Sequence, residues 1–179
     1  MITLTLVFLS GCSGSKKLEA DFTAWRQDFT GKPELQITAL VTSAAEAAVS
    51  EYKLVYNRSS DEETITVVEP LMIADVTAHI SGEELTLSFD GLILETGASP
   101  EELSPLAALP AMIDFLESGF VKSVWTEKSE GRDLLVAELE NADASRLTIW
   151  LDKADNLPVL ATIRSGESVE IILNAMEIN

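Results

Sequence analysis

The sequence predicts an α+β fold, mainly β: a large curved antiparallel sheet, a half-barrel of about eleven strands, wrapped around an N-terminal helix and a central helical segment. Three observations carry this expectation. Apolar and polar residues alternate through most of the chain from Ile37 onward, the period-two pattern of strands with one buried face. The connections between these runs are mostly too short for the crossover that parallel neighbours require. Two segments carry a helical stripe instead, one ahead of the first strand and one between Gly97 and Gly119. A sheet with one apolar face must cover it, and two amphipathic helices held in the hollow of a bent sheet do so without a second sheet.

Leu18, Phe22, Trp25 and Phe29 share one face of a helix over residues 18–29, which Gly31 and Pro33 end. Ile37, Ala39 and Val41 open the sheet. Tyr52, Leu54 and Tyr56 follow, then an acidic turn at Ser59–Glu63, then Ile65 and Val67. Val76, Ala78 and Ile80 form the next strand, and Gly82-Glu83 turns into Leu85, Leu87 and Phe89. Asp90-Gly91 is a two-residue hairpin signal leading to Leu92 and Leu94. The strands pause at Gly97. Ser99-Pro100-Glu101-Glu102 has the order of a helix start, and Ser104-Pro105 offers a second. Leu106, Leu109, Ile113 and Leu116, widened by Met112 and Phe115, form the stripe; Pro110 inside it predicts a kink or two short helices, and Gly119 closes it. The inward sets expected after it are Val121, Ser123 and Trp125; Leu135, Ala137 and Leu139; Leu147, Ile149 and Leu151; Val159, Ala161 and Ile163; and Val169, Ile171 and Leu173, with a turn at Asp152–Asn156.

At 179 residues the chain is the size of one domain with a substantial core. Its net charge of −18 argues against nucleic acid as a partner, because a phosphate backbone needs Lys and Arg to displace its counterions, and against anionic lipid headgroups for the same reason. A single cysteine excludes an internal disulfide and a thiolate zinc site.

That cysteine ends the stretch Leu9-Ser10-Gly11-Cys12, preceded by the apolar run Leu4–Leu9. The order resembles the lipobox of bacterial lipoproteins. It implies a signal peptide over residues 1–11, a diacylglycerol on Cys12, a flexible tether over residues 12–17, and a domain over 18–179. A buried strand over Thr3–Leu9 is the alternative. The run is far short of the roughly 20 apolar residues that span a bilayer. No Lys or Arg precedes it, so a positively charged leader segment would lie upstream of Met1.

The run Leu147-Thr148-Ile149-Trp150-Leu151-Asp152, followed by a turn, Leu157-Pro158-Val159, Gly166 and Val169-Glu170-Ile171, resembles the C-terminal half of the LolA/LolB fold. Pro70-Leu71-Met72-Ile73-Ala74-Asp75-Val76, Phe89-Asp90-Gly91-Leu92 and Ser104-Pro105 resemble lipoproteins of that superfamily from spore-forming Gram-positive bacteria, the GerS-type germination lipoproteins. The resemblance spans about residues 18–179 in pattern, and its motifs are folding signatures. It implies the half-barrel, an acyl-chain cleft under a helical lid in the lipid-carrying members, and protein partnership in envelope or spore-cortex remodelling in the Gram-positive ones.

Candidate chemistry is sparse. His79, the only histidine, reads as solvent-facing or hydrogen-bonded on the polar face of its strand, and no second His or free Cys stands ready to build a metal cluster or a Cys–His pair. Gly11-Cys12-Ser13-Gly14-Ser15 misses the nucleophile elbow by its last residue. Asp61-Glu62-Glu63 and Glu101-Glu102 read as a solvated turn and a helix start. Asp152-Lys153-Ala154-Asp155-Asn156 lacks the order of a calcium loop. No catalytic residue, metal or cofactor is expected. The stripe Leu106, Leu109, Met112, Ile113 and Leu116, together with Leu85, Leu87 and Phe89, either fills the half-barrel as core or forms a cleft and lid for an acyl chain. Leu71-Met72-Ile73 is the candidate loop for a membrane or partner, or else tucks under its neighbours. The expectation is a lipid-anchored, extracytoplasmic, non-enzymatic binding or scaffold protein of the envelope; the alternative is a carrier or acceptor of lipid or lipoprotein acyl chains.

Overall fold

A computed structural model describes residues 13–45, 48–60, 62–81, 84–98, 105–165 and 169–179. The lipobox residues Leu9–Cys12, the Gly82-Glu83 turn, the Ser99–Glu102 helix start, Ser104 and Gly166 lie outside the described residues.

Among the described residues, one antiparallel sheet of eleven strands forms the body. Helix α1 (Ser13–Thr30) precedes β1 (Leu35–Ala45), β2 (Ala48–Arg58), β3 (Glu63–Glu69), β4 (Thr77–Ser81), β5 (Glu84–Phe89) and β6 (Leu92–Ala98). Helix α2 (Ala108–Ser118) then leads to β7 (Phe120–Ser129), β8 (Arg132–Glu140), β9 (Arg146–Asp152), β10 (Pro158–Ser165) and β11 (Val169–Ile178). The spatial order is β6-β5-β4-β3-β2-β1-β11-β10-β9-β8-β7. Two meanders are therefore joined by the pairing of the first strand with the last, as in Val41 opposite Leu173. The outermost strands, β6 and β7, do not pair, so the curved sheet stays open. They are joined through α2, and a chain that must cross from one edge to the other has its helix carried over the inner face.

The inner face and the helices share one core. Ile37, Ala39, Val41, Leu54, Tyr56, Ile65, Val67, Leu139, Leu147, Ile149, Ala161, Ile163, Ile171 and Leu173 are buried with Phe22 and Phe29 of α1. The aromatic face of α1 is continuous: Phe22 and Trp25 have ring centroids 5.6 Å apart, and Trp25 stacks on Phe29 at 5.0 Å. The Trp25 indole donates to the Asn156 carbonyl at 2.8 Å, which pins α1 to the β9–β10 turn.

Several expectations need correction. The helix begins at Ser13, so residues 13–17, expected as a flexible tether, form its first turns. Pro110 makes no kink. A 3₁₀ turn over Pro105–Ala107 leads into α2, and Pro110 falls in the first turn, where a helical N–H has no intrahelical acceptor and its loss costs little. In β7 the inward residue is Val124, not Ser123 or Trp125, because a bulge between Val121 and Ser123 reverses the alternation. A second bulge between Pro158 and Leu160 leaves Val159 half-buried and turns Pro158 inward beside Ala161. Strand β8 is buried on both faces, Leu134 and Val136 as well as Leu135, Ala137 and Leu139. Gly119 ends α2 in an extended conformation (φ −66°, ψ 148°), not the left-handed one that usually favours glycine there.

Candidate functional site

Of the expected cleft and lid residues, α2 supplies the core. Leu109, Met112 and Leu116 have no exposed surface, Ile113 is 3% exposed, and Leu106 is partly buried against the same cluster. A side chain with no surface open to a water-sized sphere has no water-sized void beside it, enclosed or open. At these residues the hollow of the half-barrel is filled. From β5, Leu87 packs partly on the core and Leu85 pairs with Ile80 in the ladder. Phe89 does not join them; it is exposed at the strand's end.

The far end of α2 is tied down by two arginines. Arg26 of α1 donates through Nε to the Leu116 carbonyl and through Nη1 to the Gly119 carbonyl at 3.0 Å. Arg58 of β2 donates to Glu117 Oε1 at 2.6 Å and to the Thr30 carbonyl at 2.9 Å. Beside it the buried Tyr56 hydroxyl points at Glu63 without a partner in hydrogen-bond geometry. Burial pushes Tyr56 and Glu63 up, and burial with the neighbouring Glu117 pushes Asp114 up. Nothing in the sequence spacing couples Arg58 to Glu117; only the fold brings them together.

His79 lies on the outer face of β4. Its Nδ1 is 3.0 Å from Glu62 Oε1 and its Nε2 is 3.2 Å from Ser88 Oγ. A serine, a histidine and a carboxylate in line invite a hydrolytic reading, but the surroundings do not support one. The Ser88 hydroxyl donates to the Thr77 carbonyl at 3.4 Å. β5 is paired on both edges, so its backbone faces β4 and β6 in the ladder.

The outer face of β7–β10 holds a feature the sequence analysis missed. Trp125, Val136, Trp150 and Leu160 stand opposite one another on successive strands. Both indoles donate to one carboxylate, Trp125 to Glu127 Oε1 at 2.7 Å and Trp150 to Glu127 Oε2 at 3.1 Å. This clamp explains why Val136 is buried on the convex side. A groove of about 660 Å³ runs beside it, lined by Leu134, Trp150, Leu160 and Arg132 among others. The signals available were Trp150 at an outward position of β9 and Trp125 two residues from Glu127 in β7.

Leu71, Met72 and Ile73 form a 3₁₀ turn between β3 and β4 with no buried residue; Leu71 is 87% and Met72 92% exposed. They do not tuck under their neighbours. Among the described residues no three His, Cys, Asp or Glu side chains are grouped to hold a metal ion, and no helix is long and apolar enough to cross a membrane.

An open eleven-stranded antiparallel sheet holding one helix from its start and one from its middle is the LolA-like architecture. Among solved structures the chain is similar to a LolA superfamily protein from Nitrosomonas europaea, at 12% identity over 89% of this chain and 92% of that one, with a TM-score of 0.50. It is also similar to a DUF1329 family protein from Desulfovibrio piger, at 11% identity over 91% of this chain and 92% of that one, with a TM-score of 0.52. At these identities the likeness is one of fold. No protein-family model matches the sequence, and no curated protein matches it.

Proposed function

We propose that this chain is a non-enzymatic binding protein of the cell envelope, held at the extracytoplasmic face of the membrane by a lipid on Cys12. The observation that carries the binding reading is the packing of α2. Its apolar stripe is spent on the core, and among the described residues the large exposed apolar side chains belong to turns and strand ends. The order Leu9-Ser10-Gly11-Cys12 supports the anchor. Each buried CH₂ of an acyl chain contributes ~0.8 kcal/mol and two chains hold stably, which suits a stationary protein better than a shuttle. The likeness of Pro70–Val76 and Phe89–Leu92 to lipoproteins of spore-forming bacteria supports a role in envelope or spore-cortex remodelling.

A second reading, a carrier or acceptor of acyl chains, is favoured by the LolA-like fold; a cleft under the described stripe of α2 would open only if α2 moved from the sheet. Native mass spectrometry on the chain from Ser13 onward separates the two. The binding reading expects the bare polypeptide mass, and co-purified lipid overturns it in favour of the carrier. Ile113→Asp gives an independent check. In a filled core the buried charge costs roughly 3 kcal/mol or more of stability; an Ile113→Asp variant of unchanged stability shows that α2 does not rest in the core and overturns the filled half-barrel.

A further inference from the structure

The exposed apolar side chains of β3–β6 gather at one corner. Thr77 pairs with Ser88, which sets the 3₁₀ turn before β4 and the hairpin tip after β5 side by side at the same end of neighbouring strands. The turn contributes Leu71, Met72 and Ile73. The hairpin contributes Phe89 at 47%, Leu92 at 69% and Ile93 at 71% exposed. Asp90 (φ 47°) and Gly91 (φ 77°) turn that hairpin tightly, so its apolar residues are carried at the tip itself. Single exposed apolar residues are ordinary; six on two adjoining turns are a patch.

The charge around the patch identifies what it fits. From Ser59 to Val121 the sequence has no Lys or Arg and thirteen Asp or Glu residues. Glu69, Asp75 and Asp90, which flank the two turns, are all exposed. A bilayer-inserting tip carries basic residues to meet anionic headgroups; the two turns here carry none, their flanking acids outnumber the one lysine beside them, Lys53 opposite Glu69, and burial of those acids in an interface is costly unless they are paired. A convex apolar tip ringed by carboxylates complements a concave apolar cleft ringed by Lys and Arg.

We propose that this two-turn tip docks a partner protein through an apolar cleft with a basic rim. The inference rests on the binding reading above and names the surface and the partner's chemistry. The test is photo-crosslinking in the producing bacterium, with benzoylphenylalanine in place of Met72 in the full chain. The expected result is one protein partner, joined at an apolar cleft bordered by Lys or Arg. Its yield should fall at least fivefold when Leu92→Ser and Ile93→Ser are introduced on the other turn, and should fall again as salt is raised. Crosslinks to lipid alone, to a second copy of this chain or to nothing overturn the proposal, as does a yield indifferent to the hairpin variants. The chain from Ser13 onward, which lacks Cys12 and its lipid, should not sediment with phosphatidylcholine vesicles, with or without phosphatidylglycerol; sedimentation with either makes the tip a membrane contact and overturns it too. The two readings fail separately. Lipid in the native mass spectrum sinks the binding reading whatever the tip does, while a bare polypeptide with an inert tip sinks only this surface.

Discussion

Glu63 of β3 feels the charge of Asp114 on α2, and the protonation of both acts on stability in a definite direction. Burial holds the Glu63 carboxyl above its ordinary value against the opposing influence of Tyr56 and Arg58, and Asp114 is raised by burial and by Glu117. In the unfolded chain both ionise near pH 4. Between that point and the raised folded values the native state binds more protons than the unfolded one, so their contribution is fully present below about pH 4 and is lost as pH rises through the folded values. Glu63→Gln and Asp114→Asn should each raise the thermal midpoint at pH 7 by about 1–3 °C and flatten its decline with pH. Thermal melts from pH 4 to 8, set against the exposed control Glu19→Gln, check this; a control that flattens the profile equally shows the effect to be one of net charge alone. At this scale the sequence was legible where a residue answers to its own strand. His79 between Ala78 and Ile80 reads as solvent-facing or hydrogen-bonded, and its ring nitrogens lie 3.0 Å from Glu62 Oε1 and 3.2 Å from Ser88 Oγ. Arg58 on Glu117 and the Trp150 indole on Glu127 were not legible, since those partners come from different elements whose register the sequence does not state, and the Trp125–Glu127 contact was hidden by the bulge that turns Trp125 outward.

Elements follow from pattern until a bulge or a close approach intervenes. β9 reads correctly because Leu147, Ile149 and Leu151 alternate without interruption. β7 does not, since one extra residue near Lys122 carries Val121 and Val124, three apart, to the same side. The Asp90-Gly91 and Gly119 positions were both read as glycine punctuation, yet they need glycine for different reasons. Gly91 has a positive φ (77°) and open space around it. Gly119 has an ordinary φ, but a Cβ there would lie 2.7 Å from the Phe115 carbonyl oxygen, 3.3 Å from Asn141 Oδ1 and 3.4 Å from Leu139 Cβ. Gly119→Ala should therefore cost about 1–3 kcal/mol by overpacking the junction of α2 and β7. Gly91→Ala should cost about 1 kcal/mol through backbone strain. Asparagine separates the causes: it tolerates the left-handed region and should recover most of the loss at position 91, whereas at 119 its larger side chain should deepen it. Chemical denaturation of the four variants measures all of these differences.

For the molecule as a whole, alternation indicated eleven strands and two helices, but not that β1 would pair with β11 or that α2 would bridge the sheet's two edges, because pairings that distant leave no local mark. Charge distribution is the whole-molecule property with the plainest consequence. Twelve basic residues face thirty acidic ones, and every described ion pair has at least one partner substantially exposed, so attraction offsets little of the self-repulsion that a net charge of −18 imposes on the compact state. The repulsion is uneven. The β3–β6 wing has no Lys or Arg, while β7–β10 hold Lys122, Lys128, Arg132, Arg146 and Arg164 among their acids. Salt shortens the range of these forces from about 30 Å at 0.01 M to about 3–10 Å at 0.1–1 M. Raising sodium chloride from 0.01 M to 0.5 M should then stabilise the fold, lifting the thermal midpoint by roughly 3–6 °C, the equivalent of about 1–2 kcal/mol for a chain of this size. The gain should be local as well. In hydrogen exchange the amides of β4–β6 should gain more protection with added salt than those of β8–β10, whose charges are mixed. A midpoint that falls with salt would mean that the few ion pairs outweigh the repulsion. A uniform gain would mean that the acidic wing is held no more loosely than the rest of the sheet.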